Sequence, residues 1–221
     1  MKLLISALTK YLAGLLLVGL LLFLPAGTLH YPGGLLFCGL LFGPMLILGI
    51  VLFLKAPSLL EKRLKNRETQ SQQKLVIGGS LLMFVGGFIL AGLDHRFGWS
   101  RMPGWLVAAA SVLLLVSYGL YAEVLRENAW LSRTVEVQEG QSVVDTGLYG
   151  IVRHPMYAVT VLLFLSMPLV LGSWAAFVVF LLYPALLVKR IRAEEALLEK
   201  ELPGYRDYQK KVRYRMIPFL W

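Results

Sequence analysis

The stretch 147-GLYGIVRHPMYAVTVLLFLSMP-168 decides how this chain is read. From Pro155 to the residue before Pro168 it is apolar apart from two hydroxyls and a phenol. As a helix that run rises ~20 Å at ~1.5 Å per residue, short of the ~30 Å hydrocarbon core of a bilayer. Either the helix bends at Pro168 and runs on to Leu171, or its start lies below the headgroups and YGIVRHP dips into the membrane plane. An arginine buried there is expensive without a partner, which marks Arg153 as a candidate functional residue. Pro155 suits the first helical turn, because its missing N–H would be unpaired there anyway. The free N–H groups and dipole of such an N-terminus attract anions. His154, preceding proline, is biased to extended backbone, and Tyr157 lies two residues into the helix. A guanidinium, an imidazole, a phenol and a helix N-terminus within five residues suit a ligand bearing a carboxylate or phosphate and an aromatic base. The plainer reading is an interfacial loop whose cations face lipid headgroups.

The rest of the chain sets the context. It has 221 residues, 57% hydrophobic and only 16% charged, against about 25% charged in soluble domains. Apolar spans fall near 3–24, 33–54, 75–93, 104–125, 156–171 and 174–188. The fold class is therefore all-α: a polytopic integral membrane protein of about six transmembrane helices. The net charge of +9 is distributed by topology. Lys2 and Lys10, the cluster Lys55 to Lys74, Arg126, Arg133, Arg153 and the tail from Lys189 to Arg215 fall on one side of the spans; Arg96 and Arg101 fall on the other. The positive-inside rule puts the first group in the cytoplasm, with both termini and the fourth connection. A bilayer with anionic lipid explains the basic excess, and nucleic acid is excluded as a partner. The single cysteine, Cys38, cannot form an internal disulfide or, alone, a metal cluster. The start resembles a signal peptide, yet Lys10 interrupts it and further spans follow, so it is read as the first helix.

Along the spans, Pro44 and Pro184 should kink their helices or free a carbonyl. Gly39 to Gly43, GLLFG, fits the small-xxx-small contact pattern of membrane helices. Residues 55–74 read as an amphipathic helix on the cytoplasmic surface. Residues 93–105 read as a short outer loop with Trp99 and Trp105 as interface anchors and with His30 and His95 structural. The fourth connection, from Arg126 to His154, alternates apolar and polar residues and turns at Gly140 and Gly147, which predicts a short hairpin. Functionally the chain divides into membrane helices over 1–117, with that amphipathic connection, and a catalytic region over 118–221.

The last span continues into a charged tail. Glu194 and Glu195 are helix neighbours, about 100° apart, and cannot both enter one pocket. One can take a ligand's ammonium or ribose hydroxyls while the other pairs with Arg190 or Arg192. The competing reading is an interfacial helix with pairs such as Arg190–Glu194. Pro203-Gly204 then breaks the helix and sets Tyr205 and Tyr208 three residues apart, a spacing that interfacial packing also uses. No G-x-G, Walker A or HExxH pattern occurs, which argues against a Rossmann cofactor site, a P-loop and a zincin.

Taken in order, Gly147-Leu148-Tyr149, Val152-Arg153-His154-Pro155-Met156-Tyr157, Arg192-Ala193-Glu194-Glu195, Gly204 to Tyr208, Val212 and Pro218 resemble the isoprenylcysteine carboxyl methyltransferase family. The wider integral-membrane group that includes phospholipid N-methyltransferases shares the pattern. The resemblance covers residues 118–221. It implies S-adenosylmethionine bound on the cytoplasmic side by Gly147, Leu148, Tyr149, Arg153, His154, Tyr157, Glu194, Glu195, Tyr205 and Tyr208, with no metal. It implies a lipophilic or lipidated acceptor, a prenylcysteine-type carboxylate among the candidates. The short chain, with no eukaryotic retrieval signal, is read as a bacterial plasma-membrane protein. Arg190 and Glu194 are the catalytic candidates, Arg190 to orient an acidic acceptor. The family commonly has a histidine six residues before the glycine of G-x-Y. Here that position is Gln141, which weakens the case for a prenylcysteine. The alternatives are a phospholipid N-methyltransferase, an NADPH-dependent membrane reductase of related fold, and a non-catalytic membrane protein.

Overall fold

The computed structural model describes residues 2–64, 71–131 and 136–221, the stretch 71–75 by its backbone alone. Nine α-helices are formed among the described residues: α1 Lys2–Ala26, α2 Pro32–Lys55, α3 Pro57–Leu64, α4 Ser71–Phe97, α5 Gly104–Glu127, α6 Pro155–Val170, α7 Trp174–Phe180, α8 Leu182–Glu201 and α9 Tyr205–Lys211. Five stretches are long and apolar enough to cross a membrane: α1, α2, Val76–Phe97 of α4, α5 and the consecutive α7 and α8. α6 is the shorter apolar helix, running through Pro168 to Val170. Its 16 residues rise ~24 Å, still below ~30 Å. The chain is thus the all-helical membrane protein that its apolar periodicity predicts. Large side chains such as Leu16, Leu82 and Val178 are 65–75% exposed, a surface that lipid tails cover at no cost and water would not.

The prolines act as expected where a helix has little else to hold it. Pro184 has no N–H for the Phe180 carbonyl, and the helix breaks just there, α7 ending at Phe180 and α8 starting at Leu182. Pro44 stays inside a continuous α2, whose nearby carbonyls Leu41 and Phe42 accept from Tyr118 (2.7 Å) and Tyr11 (3.1 Å). Gly39 and Gly43 are not a close helix contact, since a Cβ at either would meet nothing within 4 Å. The tight approach is at Gly92, where a Cβ would lie 2.4 Å from the Leu22 carbonyl oxygen, so α4 lies directly on α1. Of the amphipathic segment expected over 55–74, α3 forms, and 65–70 lies outside the described residues. The predicted hairpin is not formed among the described residues; 132–135 lie outside them. In its place Gln141 accepts from the Gln138 N–H (2.9 Å), Gly140 takes a positive φ, and a 3-10 turn spans Gly147–Gly150.

Phenylalanines knit the centre. Phe84 meets Phe164 edge-on at 4.8 Å and Phe180 at 5.4 Å, and Phe164 meets Tyr183 at 4.6 Å. Near the α4–α5 and α6–α7 connections the buried Asp94 accepts from Ser100 N–H (2.7 Å), Ser100 Oγ (2.6 Å) and Ser173 Oγ. His95 stacks on Tyr31 at 4.1 Å, and Tyr31 Oη donates to the Leu171 carbonyl at 2.7 Å. His95 therefore does structural work, far in the chain from the segment that gathers the charged groups.

Candidate active site

Those groups gather where α6 begins. The RHP segment does not end in solvent: Arg153 and His154 are 8% and 4% exposed. Their backbone N–H groups donate to the carbonyls of Tyr214 (2.9 Å) and Arg215 (2.8 Å), so the C-terminal segment lies alongside them. The Arg153 guanidinium donates through Nε to Glu195 Oε1 (2.8 Å) and through Nη1 to the carbonyls of Val212 and Arg213, both at 2.8 Å. His154 Nε2 lies 3.2 Å from the same Glu195 oxygen. Arg215 Nε donates to the other, Oε2, at 2.7 Å. Glu195 is thus a buried hub facing three cationic or ionisable groups, which is the partner that an arginine below the headgroups requires.

Glu194 points elsewhere, as the helical offset demands. It accepts from Tyr157 Oη, and Tyr157 Oη in turn accepts from Arg190 Nε at 2.8 Å. Arg190 and Glu194, a possible direct pair by spacing, are joined through a phenol between them. All three line a cavity of about 610 Å³. Where α9 and the fourth connection wall it, the lining mixes polar groups, Tyr149, Tyr205, Tyr208 and Gln141, with apolar ones such as Trp130 and Val143. Where α4, α6 and α8 wall it, the lining is Ile77, Leu81, Phe84, Phe164 and Leu187, broken by the Tyr183–Thr160 hydroxyl pair at 3.1 Å.

Two tyrosines of α9 differ in an informative way. Tyr208 Oη donates to the Tyr149 carbonyl at 2.7 Å. Tyr205, 4% exposed, has a buried Oη with no hydrogen-bond partner among the described residues. Burial pushes its phenol up, and the charges of Glu195 and Glu194 push it further, so it keeps its proton. A buried hydroxyl without a partner costs about 1–3 kcal/mol. The Tyr205 side chain lines the cavity, with this hydroxyl buried and not on its open surface.

Seven of the ten residues expected at a cofactor, namely Tyr149, Arg153, His154, Tyr157, Glu194, Tyr205 and Tyr208, come together on this cavity, with Arg190 beside them. Gly147, Leu148 and Glu195 are not on its wall. Glu195 holds the C-terminal segment from behind. Gly147 and Leu148 form the start of the 3-10 turn, which is capped by Glu127: its Oε2 accepts from the Leu148 N–H at 2.9 Å. Glu127 and Arg215 were not singled out by sequence reasoning. Glu127 reaches 21 residues along the chain and Arg215 reaches back 20, spacings that no helical periodicity marks. Among the described residues no three His, Cys, Asp or Glu side chains are grouped to hold a metal ion.

Residues 106–200, from early α5 through most of α8, match the model of the isoprenylcysteine carboxyl methyltransferase (ICMT) family. The likeness to the ICMT family is carried by this region. The full fold agrees: the eukaryotic intramembrane Ras methyltransferase ICMT superposes with a TM-score of 0.57 over 97% of this chain and 77% of that chain, at 20% identity. At that identity the likeness is one of fold. Among curated relatives, YpbQ of Bacillus subtilis (strain 168) is 25% identical over 161 residues, 70% of this chain and 96% of that protein. The Delta(14)-sterol reductase TM7SF2 of Mus musculus is 33% identical over 91 residues, 40% of this chain but 22% of the reductase. The cobalt-zinc-cadmium resistance protein CzcN of Cupriavidus metallidurans is 28% identical over 132 residues, 57% of this chain and 56% of that protein. The ICMT family match and the ICMT fold together support an integral-membrane methyltransferase.

Proposed function

We propose that this chain is an S-adenosylmethionine-dependent methyltransferase that modifies a lipophilic or lipidated acceptor at the cytoplasmic face of a membrane. The observation that carries the reading is a cavity that presents Glu194, Tyr157 and Arg190 beside the Tyr205 side chain, whose buried hydroxyl has no partner among the described residues. The residues suit the cofactor: a carboxylate for its ammonium or ribose hydroxyls, a phenolic donor for a ribose or ring acceptor, and aromatic faces for adenine. When bound, S-adenosylmethionine supplies a methyl group activated on a sulfonium.

Glu194 is held in place by Tyr157, and Arg190 by the same phenol, so one hydroxyl sets the spacing of a cation and an anion. Arg190 orients an acidic acceptor. The apolar wall of Phe84, Phe164 and Leu187 excludes water and accepts an alkyl or prenyl chain from the bilayer. What the protein supplies is alignment in a dry site, worth up to ~7–11 kcal/mol in favourable cases. A carboxylate or thiolate acceptor needs no general base. Glu195, from behind the wall, and Arg153, on it, together fix the backbone of the C-terminal segment. Among acceptors, a prenylcysteine-type carboxylate and a phospholipid amine both fit an amphiphile of this shape.

Calorimetric binding of S-adenosylhomocysteine to the detergent-purified protein, with NADPH as the rival ligand, tests the reading. Binding is expected for the nucleoside and not for NADPH, with Glu194→Ala weakening it at least about tenfold. Folded protein that binds NADPH alone overturns it in favour of a reductase. Tyr205→Phe separates ligand contact from structure. It is expected to raise the unfolding free energy of the ligand-free protein by about 1 kcal/mol, by removing an unsatisfied hydroxyl. The same change is expected to weaken S-adenosylhomocysteine binding by about fivefold to tenfold. A variant that loses stability and keeps its affinity would show that Tyr205 serves packing only.

A further inference from the structure

The cavity reaches beyond the groups that the family pattern names. α3 brings Arg63 to its wall, beside Val76 and Trp130. The helix is set there by apolar contacts: Leu59 and Leu60 are buried, and Leu59 belongs to the cluster of Val124, Tyr149, Met156 and Val159. Lys62 Nζ lies 5.4 Å from the Trp130 ring centroid and 3.5 Å from the Ala129 carbonyl oxygen, and Lys10 Nζ donates to the Leu64 carbonyl. The Arg63 guanidinium lies over the Tyr121 ring, 5.5 Å from its centroid, and donates through Nη2 to Tyr121 Oη. Among the described residues that is its one hydrogen bond. A guanidinium carries five N–H donors in a planar fork suited to carboxylate or phosphate.

The cavity wall carries both signs: Glu136 and Glu194 are its carboxylates, and Arg153, Arg190 and, from α3, Arg63 its guanidiniums. Arg153 is committed to Glu195 and the carbonyls of Val212 and Arg213, and Arg190 donates to Tyr157. The same wall carries apolar side chains of α4 and α6 that would take a lipid chain. A ligand with a long apolar chain and an anionic head finds both halves of its chemistry on this wall.

We propose that Arg63 is a specificity-determining residue that holds the anionic headgroup, carboxylate or phosphate, of the amphiphilic methyl acceptor. The proposal rests on the methyltransferase reading for the meaning of acceptor, and its test does not. The protein in lipid nanodiscs is titrated with N-acetyl-S-farnesylcysteine and its neutral carboxamide, and with dodecyl phosphate and dodecanol. S-adenosylhomocysteine binding is measured on the same samples. The wild type is expected to prefer at least one anionic probe over its neutral counterpart by about tenfold or more. R63Q is expected to lower that ratio at least about threefold, the remainder resting on Arg190, while nucleoside affinity and thermal stability hold, and R63K to fall between. Which pair shows the preference tells a carboxylate head from a phosphate. A wild type without preference for either anion overturns the proposal. So does an R63Q protein that keeps the preference, which would leave Arg63 as an anchor of α3. Failure of S-adenosylhomocysteine to bind the wild type counts against the methyltransferase reading alone, because the anion arms are read without it.

Discussion

Glu195→Ala is expected to lose about 3–5 kcal/mol of stability, because it strands a buried arginine whose charge faces no other carboxylate among the described residues. Arg153 and Glu195 side chains are 7% and 5% exposed, against 34% for Arg215, so the deficit falls mainly on Arg153. The carbonyls of Val212 and Arg213 keep two of its donors satisfied but cannot neutralise it. Chemical unfolding of the purified protein in detergent reads the loss directly. Glu194→Ala in the same assay should cost under about 1 kcal/mol, since that carboxylate faces a cavity and not a buried guanidinium. The two neighbours then separate cleanly: one variant is unstable, the other stable and deficient in binding. Replacing both charges, as in Arg153→Met with Glu195→Leu, should recover much of the loss, since a matched apolar pair no longer buries an orphan ion. If Glu195→Ala unfolds with the wild type, the hub contributes nothing and the C-terminal segment is held by its backbone bonds alone.

Gly147→Ala should be nearly as damaging, for two reasons that add. Gly147 has φ of +51°, a left-handed backbone that costs an L-residue ~1–2 kcal/mol. A Cβ there would also fall 1.3 Å from Glu127 Oε1, so the carboxylate must leave. Losing its bond to the Leu148 N–H removes a charge-assisted contact worth about 1.5–3 kcal/mol. The expected total is about 3 kcal/mol, measured in the same unfolding series. Gly147→Ala combined with Glu127→Ala should cost little more than Gly147→Ala alone, because the single change has already expelled the carboxylate. Additive losses would show that Glu127 stays bonded after the substitution and that the clash is relieved elsewhere.

Much of the architecture was legible in the sequence because lipid imposes a simple constraint: runs near 20 apolar residues must be helices. Six such runs predicted α1, α2, α4, α5 and α6 within a few residues and the start of the α7–α8 stretch, whose helix runs on into the charged tail to Glu201, and Pro184 foretold the break before α8. The short α6 was readable as an anomaly from its length alone. That Glu194 and Glu195 could not share a pocket followed from helical geometry, but which one faced the cavity did not. The answer depends on Arg215 and on the carbonyls of Val212 and Arg213, groups that reach α6 and α8 only after the chain turns back at Pro203-Gly204. Gly39 and Gly43 misled for the converse reason: the spacing is necessary for a close contact, yet only the neighbouring helix decides whether one is made. Gly147 was noticed through a sequence pattern and placed at the ligand, whereas its own geometry ties it to Glu127.

The strap across the start of α6 has a consequence for how sequences of this kind can diverge. Arg153 and His154 hold it through carbonyl oxygens of Val212, Arg213, Tyr214 and Arg215. Every amino acid supplies that oxygen, proline included. Substitution at Arg213 or Tyr214 therefore leaves those bonds formally intact, while Arg153, which reads them, has no equivalent. Over generations the reader is pinned and the text it reads is free to drift. The tolerance is confined to positions whose carbonyl alone is read, such as Arg213 and Tyr214, and the family match in this chain stops at residue 200, before the strap begins. Distant members would then be told apart from unrelated helical bundles less by the letters of their last segment than by whether that segment docks its backbone against a buried arginine.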